Sequence, residues 1–575
     1  MPTWRAPGSG RGGVVNPSTA QATVIVDELV RNDVRHVVVC PGSRNAALAM
    51  AVHQAADEGR LTLHVRIDER SAGFLALGLS KASGRPAAVA CTSGTAAANL
   101  HPAVLEAHHS GIGLLMITAD RPPELHGTGA NQTIDQRGLF GSAAVAVEFP
   151  VAERRAGQNQ VWRGLVCRAV AQAETGRPVQ VNVPFREPLV PTFEPRWPEP
   201  LAGRQDGLRW TTSAAPVTMA GSRVDFPLPA RTLMVFGSGR EDRARAAATV
   251  AASAGWPAVA EPTSRAAALS GGANVLRCGA LLLAAGELPE PMRPAAVVVV
   301  GRPTLSRGVR GLMGRAPVYG IGDHPQWTDP QYVATHVRGW LDLDDMARVD
   351  GVDPEWSSAW RHADAAAVNA IEKLLGEQEW PTGLRLAMDV MESLPAGASL
   401  FLGSSNPVRD IDLVADPRSD VTIHANRGVA GIDGNVSTAT GMALAGDGPA
   451  YALIGDLTLL HDLNGLLIGP PEQRPNLTLI VHNDDGGGIF TLLEQGAAEY
   501  KHSFERVFGT PHGADIEALC RGYRVDHVHA ESSADLRTAL APGRGLKVVE
   551  VRSNRALLRD LHARLRAAVT EAALR

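Results

Sequence analysis

The chain has 575 residues, of which 45% are hydrophobic and 20% charged, enough apolar material for about four domains at roughly 150 residues each, or three larger ones. A formal charge of −5 gives no basic footprint for non-specific nucleic-acid binding, and aliphatic runs such as 295–300 fall far short of a membrane span. The N-terminus lacks an apolar h-region and the five cysteines are scattered with no CxxC pair, which argues for reduced thiols in a cytoplasmic protein and against a disulfide frame or zinc site.

Residues 1–15, rich in Gly and Arg, are expected to be a disordered extension. Asn16-Pro17 reads as a helix start, an N-cap followed by Pro at N1, and the spacing of Val24, Val26, Leu29 and Val30 continues the helix. The β-branched run 36–40 ends in Pro41-Gly42-Ser43, a buried strand entering a tight turn. The alternation repeats as strand 61–67, helix 71–83, strand 87–91, helix 95–108 and strand 114–118, which predicts a parallel sheet covered on both faces. From about 193 the sequence turns rich in Pro, Trp, Arg and Gly and loses its period. A second α/β region opens at 231–236, includes 295–300 and ends near 343; a third begins after Pro381, with strands at 399–402, 421–424, 450–454 and 477–481. The expected fold class is α/β, three doubly wound parallel-sheet domains at 16–200, 228–350 and 370–575, with 201–227 as a linker.

The third region holds the most informative pattern. Strand 450–454 runs into Gly455-Asp456-Leu457, and strand 477–481 into His482-Asn483-Asp484-Asp485-Gly486-Gly487-Gly488. Carboxyl ends of strands are the binding edge of a doubly wound sheet. Two acids there suit a hard divalent cation that completes its shell with phosphate and water, while the glycines let backbone approach the ligand closely. Either acid alone is better explained by an Asx turn; the pair at matching ends makes a Mg²⁺–diphosphate cradle. Glu69, in Asp68-Glu69-Arg70, stands just past a strand, placed either to hydrogen-bond a heteroaromatic nitrogen or simply to start a helix. Arg44, Arg121, Arg409 and Arg427 fall at strand ends or turns; converging guanidinium forks would suit a substrate with more than one carboxylate, whereas each alone reads as a surface salt bridge. Gly237-Ser238-Gly239-Arg240 follows a strand, but Asp242 leaves the dinucleotide fingerprint incomplete. Arg302 and Arg307 read as solvated surface or as room for an anionic effector. His108, His109 and His461 read as helix residues, and with no GxSxG serine hydrolase chemistry has no support.

These motifs resemble the thiamine diphosphate-dependent enzymes, whose signature is matched by Gly455-Asp456-Leu457 and Asn483-Asp484, with Leu457 and Asp484 in place of the usual Gly and Asn. In order along 16–560, Cys40-Pro41-Gly42-Ser43-Arg44-Asn45, Asp68-Glu69-Arg70, Thr92-Ser93-Gly94-Thr95-Ala96, Ala119-Asp120-Arg121-Pro122-Pro123-Glu124-Leu125, Gly129-Ala130-Asn131-Gln132, Asn426-Arg427-Gly428, Gly431-Ile432-Asp433-Gly434 and Gly487-Gly488-Ile489-Phe490 resemble one family among them. That family is the 2-succinyl-5-enolpyruvyl-6-hydroxy-3-cyclohexene-1-carboxylate synthases of menaquinone (vitamin K2) biosynthesis. The middle region matches it weakly.

The resemblance implies pyrimidine-binding, central and diphosphate-binding domains, and at least a homodimer, with a homotetramer (dimer of dimers) as the larger form. The cofactor would lie between the first domain of one subunit and the third of its partner. It implies a carboligase, a transferase of the transketolase type, using thiamine diphosphate and Mg²⁺ (Mn²⁺ as an accepted substitute). The implied reaction is decarboxylation of 2-oxoglutarate and Stetter-like 1,4-addition of the succinyl carbanion to isochorismate. Glu69 would be catalytic, on the aminopyrimidine N1′. Cys40, Pro41, Glu69, Ser405, Ile432 (the wedge under the thiazolium), Gly455, Asp456, Leu457, Gly487 and Ile489 would contact the cofactor; Asp456, Asp484 and the Gly486 carbonyl would hold the metal. Ser43, Arg44, Arg121, Asn131 and Gln132 would bind isochorismate; Arg409, Arg427 and Ser405 would bind 2-oxoglutarate; Ile489 and Phe490 would keep water out. An acetolactate-synthase or 2-oxoacid-decarboxylase relative would share the cofactor and Glu69 but leave the Ser43-Arg44-Asn45 and Ala130-Asn131-Gln132 turns unexplained. A non-catalytic cofactor-binding protein would not need Glu69 together with both metal ligands.

Overall fold

The computed structural model describes residues 16–192, 197–213, 228–322 and 327–574; the expected extension 1–15 and residues 214–227 of the expected linker lie outside them. Packing divides the chain into two units.

The first unit holds the described residues through 213 together with 428–447 and 461–475. Its opening helix, Pro17–Arg31, starts as its sequence dictates: Asn16 Oδ1 accepts from the Thr19 amide at 2.8 Å. Strands β1 (His36–Val39), β2 (Thr62–Val65), β3 (Ala87–Cys91), β4 (Leu114–Asp120), β5 (Val145–Glu148) and β6 (Pro178–Pro184) form a parallel sheet in the order β2-β1-β3-β4-β6-β5. β3, β4 and β6 are buried at every position, as central strands covered on both faces must be. The helix expected over 95–108 breaks at Leu100 into Thr95–Asn99 and His101–Ser110, because Pro102 in the first turn of the second piece has no N–H to continue the ladder.

Helix Asn435–Ala445 joins this unit by packing along helix Glu69–Ser83. A Cβ on Gly78 would lie 2.0 Å from Thr438 O, and one on Gly441 would lie 2.2 Å from Leu75 O, so only glycine permits that approach. The described part of the expected linker is fastened to the same unit: Arg163 donates to Leu201 O at 2.8 Å, and the Trp210 amide donates to buried Glu28 at 2.6 Å.

The second unit holds residues 228–427, 448–460 and 476–574 among those described, in two parallel sheets. β7 (Thr232–Phe236), β8 (Pro257–Ala260), β9 (Asn274–Val275), β10 (Ala296–Val300), β11 (Val318–Ile321) and β12 (Ala334–Arg338) run in the order β12-β11-β10-β7-β8-β9. β13 (Ser399–Leu402), β14 (Thr422–Ala425), β15 (Ala450–Gly455), β16 (Leu477–Asn483), β17 (Asp526–His529) and β18 (Leu546–Arg552) run in the order β14-β13-β15-β16-β18-β17. One apolar core runs through both sheets. Between β7 and β10 strand order reverses, the place where such sheets seat nucleotides. The chain itself fills it: Ser238 and Arg302 exchange backbone hydrogen bonds of 3.1 and 2.9 Å, and a Cβ on Gly237 would lie 2.1 Å from Pro303 N. Among the described residues no helix is long and apolar enough to cross a membrane.

Candidate active site

In the second unit the carboxyl edge of β13–β16 gathers the acids and glycines. β15 ends at Gly455, and Asp456 opens the short helix Asp456–His461. Asp456 is buried; its Oδ1 accepts from the Leu457 amide (2.6 Å) and its Oδ2 from the Gly486 amide (2.8 Å). His512 Nδ1 accepts from the Ala514 amide (2.9 Å), which leaves the proton of the neutral ring on Nε2, 3.1 Å from Asp456 Oδ2. Burial raises the Asp456 carboxyl. Asp484 follows β16 and is pushed up to about 7 by burial and then by the charge of Asp456. Asp410, in helix Asn406–Val414, is pushed up to about 8 by burial and then by Asp484. Burial and a neighbouring carboxylate outweigh Arg555 at Asp484 and Arg409 at Asp410, and a divalent cation would offset that excess of negative charge.

No set of three or more His, Cys, Asp or Glu side chains able to hold a metal occurs among the described residues, so a cation here would rest on two carboxylates plus backbone and ligand oxygens, as Mg²⁺ tolerates. The backbone around it is closely packed and admits only glycine: a Cβ on Gly488 would sit 1.9 Å from Asp484 Oδ2, and one on Gly487 2.2 Å from Phe508 O. Arg555 donates to Asp484 O (2.8 Å) and also to Asp485 O, fixing the loop from behind. Ile489 and Phe490 lie on the 3₁₀ turn Gly488–Leu492, with the Phe490 and Phe508 ring centroids 5.8 Å apart.

The same edge carries two arginines. Ser405 takes φ +80°, a sparsely allowed value for a side-chain-bearing residue, and its carbonyl accepts from Arg409 Nη1 at 2.7 Å. Arg427 is buried and points Nε and Nη2 at Thr304 Oγ1, 3.2 and 3.1 Å away. Burial pushes the Asp412 carboxyl up to about 6, against Arg265 first and then both of these guanidinium groups. Burial holds Arg409 below its ordinary value; Asp410, Asp412 and Glu261 oppose that, and Arg307 adds to it. Glu261, Thr304, Arg307 and His512 were not anticipated here. The first three come from the middle sheet and His512 from a loop after residue 509, so no local spacing ties them to the site.

In the first unit, five loops meet the carboxyl edge of the β2-β1-β3-β4-β6 run. Asp68 caps helix Glu69–Ser83, and its Oδ2 accepts from Asn464 Nδ2 at 2.8 Å. Arg70 donates to His461 O (2.7 Å) and Ser71 Oγ to Asp462 (3.1 Å), so three side chains pin the helix start that carries Glu69. Burial raises the Cys40 thiol, followed by Cys91 and then Glu69, which puts the Glu69 carboxylate beside the β1 exit. The Pro41–Asn45 turn is closed by Asn45 Nδ2 on Cys40 O (2.9 Å), with Pro41 and Ser43 exposed. Arg44 donates to Phe185 O at 3.0 Å; its Nε and Arg121 Nη1 are buried with no hydrogen-bond partner among the described residues. Burial and then the Arg44 charge hold Arg121 below its ordinary value. Glu187 lies 3.7 Å from Arg44 Nη2, and the two orphaned donors leave room for a further anion. Gln132 hydrogen-bonds Ser93 O (2.9 Å) at φ +56°; Asn131 and Gln132 are exposed, and Ile432 is half-buried.

The thiamine pyrophosphate enzyme N-terminal TPP binding domain matches residues 20–139. A 2-succinyl-5-enolpyruvyl-6-hydroxy-3-cyclohexene-1-carboxylate synthase of Saccharopolyspora erythraea is 51% identical over 565 residues, covering 96% of this chain and 99% of its own length. Proteins of the same name from Thermobifida fusca and Rhodococcus opacus are 49% and 47% identical, covering 97% and 96% of this chain and 99% and 100% of their own. The chain thus belongs to the 2-succinyl-5-enolpyruvyl-6-hydroxy-3-cyclohexene-1-carboxylate synthase family of thiamine diphosphate-dependent enzymes.

Proposed function

We propose that the protein joins 2-oxoglutarate and isochorismate, with loss of CO₂, to give 2-succinyl-5-enolpyruvyl-6-hydroxy-3-cyclohexene-1-carboxylate for menaquinone synthesis, as a Mg²⁺-dependent cytoplasmic transferase. The observation that carries this reading is the buried pair Asp456 and Asp484 against a glycine backbone. Asp456, Asp484 and the Gly486 carbonyl hold Mg²⁺, and Gly455, Leu457, Gly487 and Ile489 line the diphosphate. Bound there, thiamine diphosphate supplies the electron sink for decarboxylation and carbon–carbon bond formation. Glu69 holds a proton at the aminopyrimidine N1′, with Cys40 and Pro41 beside it. Ile432 supports the thiazolium. Arg44 and Arg121 take the carboxylates of isochorismate through their orphaned N–H groups, aided by Ser43, Asn131 and Gln132. Arg409, Arg427 and Ser405 orient 2-oxoglutarate, and Phe490 excludes water.

The family resemblance supports a homodimer or homotetramer and the partition 16–200, 228–350 and 370–575. Purified chain with thiamine diphosphate, Mg²⁺ and both substrates should release CO₂ and consume the diene absorbance of isochorismate. Equal CO₂ release with 2-oxoglutarate alone, and no loss of the diene, would favour the simple decarboxylase instead.

A further inference from the structure

A buried carboxylate with no part in the chemistry above grips the loop that carries Ile432. Glu106, 1% exposed, lies in helix His101–Ser110. Its Oε1 accepts from the Gly428 amide (2.8 Å) and from Ser110 Oγ (2.7 Å), and its Oε2 from the Val429 amide (2.8 Å). Lys81, on the helix that Glu69 opens, places Nζ 3.7 Å from Oε1. Lysine occurs at only four positions in this arginine-rich chain, and this one is buried to 9% side-chain exposure.

Gly428 is pressed onto this group. A Cβ there would lie 2.4 Å from Glu106 O and 3.0 Å from the carboxyl carbon. At the far end of the loop Gly434 lies against the Phe74 ring, where a Cβ would stand 1.9 Å from Cδ2. Asn435 Nδ2 ties the turn to Gly431 O (3.1 Å) and Asp433 O (2.9 Å). Ala430 takes φ +57°, a conformation that persists only where the surroundings over-determine it. Ile432 therefore sits, half-buried, within a loop fixed at both ends. A buried ion pair is a weak source of stability unless its hydrogen bonds are filled. Here both oxygens are filled, and two of the donors are consecutive amides of that loop, so the carboxylate fixes where the loop sits.

We infer that Glu106 is a positioning residue: it sets the seat of loop 428–434 and through it the placement of Ile432 under the thiazolium. The inference rests on the role given to Ile432 above. The test uses the Mg²⁺–thiamine diphosphate holoenzyme and compares Glu106→Gln, Glu106→Asp and Ile432→Ala with wild type. Four quantities are read: thermal midpoint, cofactor affinity, kcat with KM, and hydrogen–deuterium exchange at the cofactor's C2, followed by NMR after acid quench. Both Glu106 variants should fold and keep cofactor Kd and KM for 2-oxoglutarate within about threefold, while C2 exchange and kcat fall about tenfold or more. Ile432→Ala should slow C2 exchange as well. Slow exchange in Ile432→Ala with wild-type exchange in both Glu106 variants overturns the inference alone. Wild-type exchange in Ile432→Ala overturns the role of Ile432 and the inference with it. If neither Glu106 variant folds, Glu106 is structural and the inference fails.

Discussion

The first and third sheets share one strand order, β2-β1-β3-β4-β6-β5 and β14-β13-β15-β16-β18-β17, each strand offset by twelve, yet corresponding strands end in different side chains. After β1 and β4 the first sheet presents Arg44 and Arg121, buried with orphaned donors, and after β2 two adjacent acids, Asp68, which caps the next helix, and Glu69. After β15 and β16 the third sheet presents Asp456 and Asp484, both buried and both raised by burial, Asp484 to about 7. Topology decides which loops converge, and the loop residues decide what they can bind. The middle sheet makes the same point by contrast. Its order is different, and its edge is filled by its own chain, with Ser238 paired to Arg302 and Glu261 accepting the Thr304 and Leu305 amides at 2.5 and 2.6 Å.

If the third edge is the cation side, its acids govern cofactor retention and the first edge's Glu69 governs rate. Asp456→Ala should give the largest effect. Thiamine diphosphate affinity at fixed Mg²⁺ should fall by about a hundredfold, about 2.7 kcal/mol, in calorimetry. Unchanged affinity breaks the comparison. Glu69→Gln should leave the thermal midpoint and cofactor affinity nearly unchanged while kcat falls about a hundredfold, within the range for a positioned acid–base group. Turnover near wild type would remove Glu69 from the chemistry.

The arginines sharpen the contrast with smaller effects. Arg121→Gln should raise KM for isochorismate by about tenfold and leave KM for 2-oxoglutarate within about twofold, and Arg409→Gln should do the reverse. Steady-state kinetics with each substrate varied separately decides it. If Arg121→Gln raises the 2-oxoglutarate KM instead, the two substrates exchange edges.

Most of the strand–helix alternation was legible because central parallel strands are continuous apolar runs; β3 and β13 fall on their expected residues. The edge strand β5, with its alternating burial, and the two-residue β9 carry too little pattern to announce themselves. The break at Leu100 needed the consequence of Pro102 weighed against a favourable helix composition. At the site, Asp456 and Asp484 were readable because each follows a strand directly. His512 and Glu261 were not, because their relation to the site is made by folding alone: the His512 amide and that of Gly513 both donate to Asp485 Oδ1 at 3.0 Å, across a loop. Glu106 was hidden for the same reason, since its partners Gly428 and Val429 lie over three hundred residues away.

The smallest expected effect tests whether the filled middle edge belongs electrostatically to its neighbour. Glu261 is pushed up to about 7 by burial and then by Asp412, against the pull of the Leu305 and Thr304 amides and of Arg427. A carboxyl raised in the folded state keeps a proton that the unfolded chain has already released. Its contribution is whole below its ordinary value of 4.5 and is lost as pH rises through about 7. The cation-free protein should therefore melt at lower temperature at pH 8 than at pH 6. Glu261→Gln keeps a carbonyl for the two amides but has nothing to titrate, so it should flatten that slope by about 1 kcal/mol, a shift of about 2 °C in scanning calorimetry. An unaltered slope would mean that Arg427, not a proton, neutralises Glu261 throughout this range. A substrate carboxylate that draws on Arg427 would then compete directly with the middle sheet for its charge.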